Sequence, residues 1–182
     1  MDFEPTPIPG AFLIRPKVAT DDRGMFAKIF QHAEFESRGI HFRIAESFYS
    51  TSNRHVLRGM HFQVPPSAHE KIVHCTSGRV LDVLLDLRKG SPADGQLFSV
   101  ELSEKNRRAL FIPTGVAHGF IAMEEHSTLV YAVTSAHEPS CDRGIRWDSF
   151  GFDWPVKGPV ISERDRGFPS LAEFESPFVF GS

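Results

Sequence analysis

The sequence is poor in cysteine, tyrosine and tryptophan, with only two of each among its 182 residues. Cys75 lies in an apolar stretch and Cys141 in a polar one, and neither belongs to a CxxC motif. Two distant cysteines of this kind are not the framework of a disulfide-stabilised secreted domain. We therefore expect two free thiols and a reducing, cytoplasmic compartment.

Long apolar runs, an export signal and an excess of charge of either sign are also missing. No window approaches the length of a membrane span, and the first ten residues, MDFEPTPIPG, lack the basic and apolar regions of a signal peptide. The 20 basic and 23 acidic residues are mixed along the chain and leave a net charge of −3. Neither a nucleic acid nor a membrane is expected as a partner. There is also no GxGxxG motif in a βαβ pattern, so no nicotinamide cofactor is expected.

What the chain does contain is typical of short strands joined by turns. It has 17 phenylalanines, 14 glycines and 13 prolines, and 41% of its residues are hydrophobic. Roughly seven short segments rich in Val, Ile, Leu and Phe run from HFRIAESFYSTS to STLVYAVTS, separated by turn residues. We predict an all-β double sheet of the jelly-roll or cupin type, a double-stranded β-helix barrel with a few short helices. Residues 1–182 are expected to form one domain.

Two parts of the chain depart from the strand pattern. The segment HAEFESRGI near the N-terminus is predicted to form a short helix. From DRGIRWDSFGFDWP onward the sequence is irregular, and we expect it to form a strap packed on the barrel by Trp147, Phe152 and Trp154.

The segment VLRGMHFQ, residues 56–63, places Arg58 and His61 in an otherwise apolar strand. Side chains two apart share a face of a strand, so these two residues point to opposite faces unless Gly59 forms a bulge that brings them together. The sequence leaves both arrangements open. His61 alone could be an ordinary core or rim histidine.

Further polar residues lie in or beside other apolar segments. Lys71 precedes one strand, His118 follows a Pro-x-Gly turn, and Tyr131 lies in the middle of STLVYAVTS. Each has an ordinary interpretation as a strand end, a turn residue or a core aromatic. Together they predict a polar cavity, because unpaired buried polar groups are costly.

A pair of histidines in a small β-barrel raises the question of a metal. The stretch PTGVAHG looks like the second cupin motif, whose histidine is a ligand in the metal-binding members. The first motif should supply His-x-His and a nearby glutamate, but this chain has His61-Phe62-Gln63, and Glu70 is too far along. Two ligands remain where three or four are needed, so we expect no bound metal.

Several motifs occur together in order and spacing: IPGAFLIRPKVATDDRG, VLRGMHFQ, LDVLLDLRKGSP, LFIPTGVAHGF, GIRWDSFGFDWP and ISERD. On these the chain resembles the dTDP-4-dehydrorhamnose 3,5-epimerase family, the non-metal cupins of deoxysugar and polysaccharide biosynthesis. The resemblance implies a cofactor-free isomerase that acts at C3, C5 or both on a nucleotide-linked 4-keto-6-deoxyhexose. It also implies a homodimer in which an N-terminal strand, here within PTPIPGAFLI, crosses to the sheet of its neighbour.

The resemblance implies a role for each matching residue. His61 matches the base that removes a proton beside the ketone, and Asp165 matches the aspartate that orients this histidine. Tyr131 matches the acid on the opposite face of the sugar, and Lys71 matches the group near the C4 oxygen. Such a set suits epimerisation, which needs a base, an acid and a stabiliser of the enolate. The expected substrate-binding residues are Arg23, Phe26, Lys28, Glu46, Arg58, Gln63 and His118, with Arg58 and Arg23 near the diphosphate.

The chain departs from the family pattern at positions expected to contact the nucleotide. Lys28 replaces a glutamate, and Glu46-Ser47-Phe48 replaces Gln-Asp-Asn. These changes leave open a cytidine- or guanosine-linked sugar as an alternative to the thymidine-linked one. The sequence also leaves open whether C3, C5 or both are inverted. A metal-dependent cupin and a non-catalytic sugar- or nucleotide-binding cupin remain the alternatives from other classes.

Overall fold

Two antiparallel sheets face each other in the computed structural model, which describes residues 1–181. The six-stranded sheet has the spatial order β1 (Asp2–Pro5), β2 (Phe12–Arg15), β10 (Ala109–Ile112), β7 (Lys71–Ser77), β12 (Ser127–Val133) and β5 (Glu46–Ser52). The five-stranded sheet has the order β13 (Asp142–Gly144), β6 (Leu57–Gln63), β11 (Val116–Ala122), β8 (Arg79–Asp86) and β9 (Leu97–Ser103). A separate hairpin consists of β3 (Val18–Asp21) and β4 (Gly24–Ala27).

Helices are short, as predicted. They are α1 (His32–Glu36), which lies in the segment expected to be helical, α2 (Glu163–Arg166) and a 3-10 turn over Leu171–Glu173. The predicted all-β jelly-roll class with a few short helices is thus confirmed. No helix within residues 1–181 has the length and apolar character needed to cross a bilayer.

The main core lies between the two sheets. Alternate residues of β7 and β12, such as Val73 and Leu129, meet Val80 and Leu84 of β8 and Phe120 of β11. Each of these side chains is almost fully buried. The alternation follows from the two-residue period of a strand, which points every second side chain towards the opposite sheet.

The outer face of the five-stranded sheet is covered by irregular chain. The C-terminal strap covers the five-stranded sheet, where Trp154, Ile161 and Phe178 are buried, and Trp147 and Phe152 pack against the same cluster. The indole of Trp154 donates a hydrogen bond from Nε1 to the carbonyl oxygen of Trp147, 2.9 Å away. The strap predicted from the sequence is therefore present.

PTPIPGAFLI, the segment predicted to cross to a neighbour, is paired within this chain, and its exchange with a second copy stays a prediction. Strand β1 pairs with β2 of its own chain, from Asp2 opposite Arg15 to Pro5 opposite Phe12, and β2 also pairs with β10. Both edges of β2 are thereby occupied within the chain. The β3–β4 hairpin, in contrast, pairs with no other strand of residues 1–181, and β5 forms the far edge of the six-stranded sheet.

Candidate active site

A cavity of about 430 Å³ opens between the sheets and is lined by residues of β5, β6, β7, β11 and β12. Its walls include most of the site residues predicted from the sequence, namely Glu46, Arg58, His61, Gln63, Lys71, His118 and Tyr131. Asp165 lies directly behind His61. The predicted polar cavity therefore exists, although its residues are scattered over the chain.

A bulge at Gly59 answers the question raised by Arg58 and His61. Opposite them on β11, the register runs from His118 paired with His61 to Phe120 paired with Arg58, so β6 has one extra residue at this point. The extra residue breaks the alternation and turns Arg58 and His61 into the same cavity.

Gly59 is required by the close approach of β6 and β11. Its φ is +128°, a value that side chains rarely adopt, and an added Cβ would overlap Gly119 and lie 2.9 Å from the carbonyl oxygen of His118. The opposing Gly119 is constrained by the same approach, because a Cβ there would lie 2.9 Å from the backbone carbonyl oxygen of Arg58. Two glycines therefore permit the bulge.

His61 forms a dyad with Asp165. Its Nε2 lies 2.9 Å from Oδ1 of Asp165, and Oδ2 of the same carboxylate accepts a hydrogen bond from the backbone N–H of Gly59 at 3.0 Å. The first turn of α2 holds the aspartate, because its own N–H donates to the Ser162 hydroxyl that caps this helix. The bulge and the helix cap thus orient one carboxylate towards one histidine.

Burial and charge act in opposite directions on this dyad. Burial lowers the pKa of His61 below its ordinary value of 6.5, and the hydrogen bond and charge of Asp165 oppose this shift only in part. Burial would by itself raise the pKa of the Asp165 carboxyl, but its hydrogen bonds with His61 and Gly59 outweigh burial and lower it. The result is a neutral imidazole beside a carboxylate near neutral pH.

Lys71 and Tyr131 reach the cavity from the six-stranded sheet, whereas His61 reaches it from the other sheet. Burial lowers the pKa of the Lys71 ammonium to about 8. Burial raises the pKa of the Tyr131 hydroxyl above its ordinary value of 10. Lys71 is therefore a cation that titrates unusually early, and Tyr131 keeps its proton at physiological pH.

Asp82 is a site residue that the sequence analysis missed. This aspartate of β8 is fully buried, and its Oδ2 lies 2.9 Å from Nε2 of His118, which is also buried. The second oxygen, Oδ1, is buried without a hydrogen-bond partner among the described residues. Burial raises the pKa of this carboxyl, while the neighbouring charges of His118 and Lys71 oppose the shift. A charged residue in the middle of the apolar run LDVLLD was the available signal.

Arg58, Gln63 and Glu46 are held by specific contacts at the cavity wall. Arg58 donates from Nε to the Ser52 hydroxyl at 3.0 Å, and its side chain is otherwise exposed. Gln63 accepts the N–H of Glu138 at 2.7 Å and donates to the carbonyl oxygen of Ser67 at 2.9 Å. Glu46 accepts the backbone N–H of residue 137 through Oε2 at 2.8 Å. The Gln63 amide is thus bonded at both ends within the chain, whereas the Arg58 side chain is exposed and available to a ligand.

Three predicted binding residues are not brought to the cavity within this chain. Arg23, Phe26 and Lys28 lie in or beside the β3–β4 hairpin, which is away from the cavity walls. The Arg23 side chain is 89% exposed and pairs with Asp21 of the same hairpin. Phe26 is 64% exposed. We predicted these three binding residues from their positions in the family motif. A motif position does not indicate where the hairpin lies in the folded chain.

The two cavity histidines face each other across β6 and β11, but each directs Nε2 to its own aspartate. Within residues 1–181, no three or more His, Cys, Asp or Glu side chains are grouped so that they could hold a metal ion. The arrangement offers instead a paired histidine, a phenol and an ammonium group around one space, which is a set for proton transfer.

Comparison with known proteins identifies the family of this chain. A family model described as dTDP-4-dehydrorhamnose 3,5-epimerase matches residues 5–173. The chain is also 42% identical over 176 residues to the dTDP-4-dehydrorhamnose 3,5-epimerase of Methanothermobacter thermautotrophicus, covering 94% of this chain and 95% of that relative. The chain belongs to the dTDP-4-dehydrorhamnose 3,5-epimerase family. It is thus an isomerase, as the sequence motifs predicted.

Solved structures of this epimerase family have the same fold. A dTDP-6-deoxy-D-glucose-3,5-epimerase from Legionella pneumophila, in complex with dTDP-4-keto-L-rhamnose, is 33% identical with a TM-score of 0.91, covering 96% of this chain and 94% of that one. A 3'-monoepimerase from Streptomyces bikiniensis, in complex with dTDP-quinovose, is 30% identical with a TM-score of 0.88, covering 92% and 87%. Similar structures therefore include proteins described as acting at two centres and at one.

Proposed function

We propose that this epimerase inverts C3, C5 or both in a nucleoside-diphosphate-linked 4-keto-6-deoxyhexose, with His61 as the base and Tyr131 as the acid. The observation that carries the proposal is their placement. His61, which is backed by Asp165, and the Tyr131 phenol come from opposite sheets and line one cavity. Epimerisation requires a base and an acid on opposite faces of the sugar ring, and this placement supports the assignment of the two roles.

The protonation states follow from the hydrogen bonds. The Asp165 carboxylate accepts a hydrogen bond from Nε2 of His61, so the neutral imidazole carries its proton on Nε2. The lone pair of Nδ1 is then free to accept a proton. Nδ1 removes a proton from the carbon beside the ketone, and the electron pair of the broken C–H bond moves to the C4 oxygen as an enolate. Asp165 then stabilises the imidazolium that forms.

Lys71 and Tyr131 complete the reaction. The Lys71 ammonium offsets the negative charge on the C4 oxygen. Tyr131 donates its proton to the same carbon from the opposite face, while the carbonyl re-forms and the configuration inverts. Solvent returns a proton to the phenolate and takes one from His61, so no cofactor is consumed.

The substrate is expected to be a nucleotide sugar, with Arg58 near the diphosphate. The ligands named for the two solved relatives are thymidine-linked sugars. A guanidinium at the cavity edge suits the oxygens of a phosphate, and Arg58 lines the cavity and is exposed. The departures at Lys28, Glu46 and Phe48 keep a cytidine- or guanosine-linked sugar as the alternative.

A homodimer is the assembly that we propose, with the β3–β4 hairpin as a second segment that crosses to the neighbouring copy. The hairpin exposes Met25 and Phe26, and β5 exposes Tyr49 at a free sheet edge. An isolated two-stranded hairpin is marginal in water, and a free edge strand invites pairing. Pairing of the hairpin with β5 of a second copy would carry Arg23, Phe26 and Lys28 towards its cavity. Light scattering tests this assembly, and a single-chain mass at micromolar concentration contradicts it.

The domain organisation and the location of the protein are also part of the proposal. The family match over residues 5–173 supports a single cupin epimerase domain over residues 1–182. Cys75 and Cys141 are free and buried, which supports a reducing, cytoplasmic location.

Incubation in deuterated water tests the reaction. The protein is mixed separately with 4-keto-6-deoxyhexoses linked to thymidine, cytidine and guanosine diphosphate, and NMR locates deuterium and configuration at each carbon. We expect deuterium at C3, C5 or both, with inversion, for at least one substrate. A folded protein that exchanges no carbon-bound proton of any of the three contradicts the proposed function.

A further inference from the structure

Phe48 and Tyr131 form a stacked aromatic pair across two neighbouring strands. They are directly opposite in the register of β5 and β12, and their ring centroids lie 4.7 Å apart with 15° between the planes. Tyr131 is 8% exposed, whereas Phe48 is 45% exposed. The Phe48 ring therefore covers one face of the phenol at the mouth of the cavity.

The other contacts of the phenol orient it less strongly. Its hydroxyl lies 3.4 Å from the Ser50 hydroxyl, which is long for a hydrogen bond between two oxygens. The ring of His118 meets it edge-on, with centroids 6.1 Å apart. The Ser47 hydroxyl donates to the backbone carbonyl oxygen of Tyr131 at 2.8 Å, which holds the strand but not the ring. Among the described contacts, stacking on Phe48 is the closest one to the ring itself.

We propose that Phe48 is a positioning residue for the acid Tyr131, an inference that rests on the proposed function of this site. The stack restricts rotation of the phenol and excludes water from one of its faces. The hydroxyl therefore stays aimed at the sugar, and misplacement of an acid by even a small distance is costly in a proton transfer.

Loss of this positioning should affect protonation of the enolate and not its formation. The enolate has two outcomes: it regains a proton from His61 on the original face, or it accepts one from Tyr131 and inverts. The Phe48 ring stacks on Tyr131 of the six-stranded sheet, whereas the His61–Asp165 dyad is held by β6 and α2 on the other side of the cavity. Loss of Phe48 is therefore expected to lower inversion while exchange of the carbon-bound proton continues.

The test compares Phe48→Ala, Phe48→Leu and Phe48→Tyr in deuterated water, with the substrate that the unsubstituted protein turns over best. The ratio of the initial rate of inversion to the initial rate of deuterium exchange is measured by NMR, together with kcat and KM. We expect the ratio to fall about tenfold in the Ala and Leu variants, because the aromatic contact is lost. Phe48→Tyr keeps a ring and is expected to restore the ratio to within about twofold.

A control variant and a variant that replaces Phe48→Ala if that protein does not fold make the outcome decisive. Phe180→Ala removes a partly exposed phenylalanine outside the cavity and is expected to leave the ratio unchanged. The Leu variant retains an apolar side chain, so it serves if the Ala variant does not fold. A folded Leu or Ala variant with an unchanged ratio, including one in which only KM rises, overturns the inference. Failure of the unsubstituted protein to exchange any proton is instead a failure of the proposed function, and the inference then falls with it.

Discussion

The ammonium group of Lys71 donates a hydrogen bond to the backbone carbonyl oxygen of His61, with 3.0 Å between Nζ and the oxygen. This bond crosses the cavity from β7 to β6 and therefore joins the two sheets at the site. It places the cation that would offset enolate charge beside the residue that would generate the enolate. The charge of Lys71 also contributes to lowering the pKa of the His61 imidazole.

The pH dependence follows from these two groups. Activity requires neutral His61, whose pKa is lowered below 6.5, so kcat/KM is expected to rise with pH through a value below 6.5. Activity also requires charged Lys71, whose pKa is lowered to about 8, so kcat/KM should fall as the pH rises above about 8. Tyr131 stays protonated over this range.

Lys71→Arg is the variant that checks the alkaline limb. A guanidinium remains charged well above this range, so a variant that retains activity should lose the decrease above pH 8. An unchanged alkaline limb in this variant would show that another group is responsible for it.

His61→Asn is expected to abolish deuterium exchange at the sugar carbons, because the base is lost. General base catalysis contributes about 10²- to 10⁴-fold, so exchange should fall by at least this range. Circular dichroism should show an intact fold, since the side chain faces a cavity. His126→Asn is the matched control, because this histidine has a positive φ of 54° that asparagine tolerates. Full exchange by folded His61→Asn would remove His61 as the base.

Asp165→Asn tests the support given to the base. The amide retains the shape of the carboxyl but cannot stabilise the imidazolium by charge. We expect a lower kcat with little change in nucleotide affinity, as measured by steady-state kinetics and calorimetry. An equal loss of nucleotide affinity would indicate that the substitution disturbs the cavity itself.

Tyr131→Phe removes only the hydroxyl, so the free energy of unfolding should change by no more than about 1 kcal/mol. Net inversion is expected to fall by about 10²- to 10⁴-fold, while deuterium exchange continues because the base remains. NMR in deuterated water measures both rates. Tyr49→Phe makes the same change outside the cavity walls and is the control, with light scattering to check that the assembly is unchanged. Inversion by Tyr131→Phe at the original rate would assign the acid to another group.

Nucleotide choice is the last prediction. Lys28 cannot accept a hydrogen bond where the family pattern has glutamate, and Glu46 offers a carboxylate where it has glutamine. We expect thymidine diphosphate to bind about fivefold more weakly than at least one of the cytidine, uridine or guanosine diphosphates, the equivalent of one hydrogen bond of about 1 kcal/mol. Calorimetric titration measures the four affinities.

Two variants restore the residue types of the family pattern and act as matched controls. Lys28→Glu and Glu46→Gln should each move the preference back towards thymidine. A clear preference of the unsubstituted protein for thymidine diphosphate would show that the departures are silent.

The sequence by itself was sufficient to predict the fold class, most strands of the two main sheets and the principal cavity residues. Alternating apolar residues and turn residues were sufficient for the sheets, because burial of one strand face is a local pattern. Lys71, His118 and Tyr131 stood out as polar groups in apolar surroundings, and burial of such groups is costly unless a cavity or a partner accommodates them. The motif order identified the family and, through it, Asp165.

Only the tertiary structure decided how these residues meet. The bulge that turns Arg58 and His61 into one cavity is defined by the register of β6 against β11, a pairing between distant segments that no local pattern encodes. The contact between His61 and Asp165 spans 104 residues, and the partnership of Asp82 with His118 appears only when β8 lies beside β11. The hairpin with Arg23 likewise followed the family motif in sequence but lies away from the cavity. Strand pairing and register arise from long-range packing, and they therefore decide which side chains share a site.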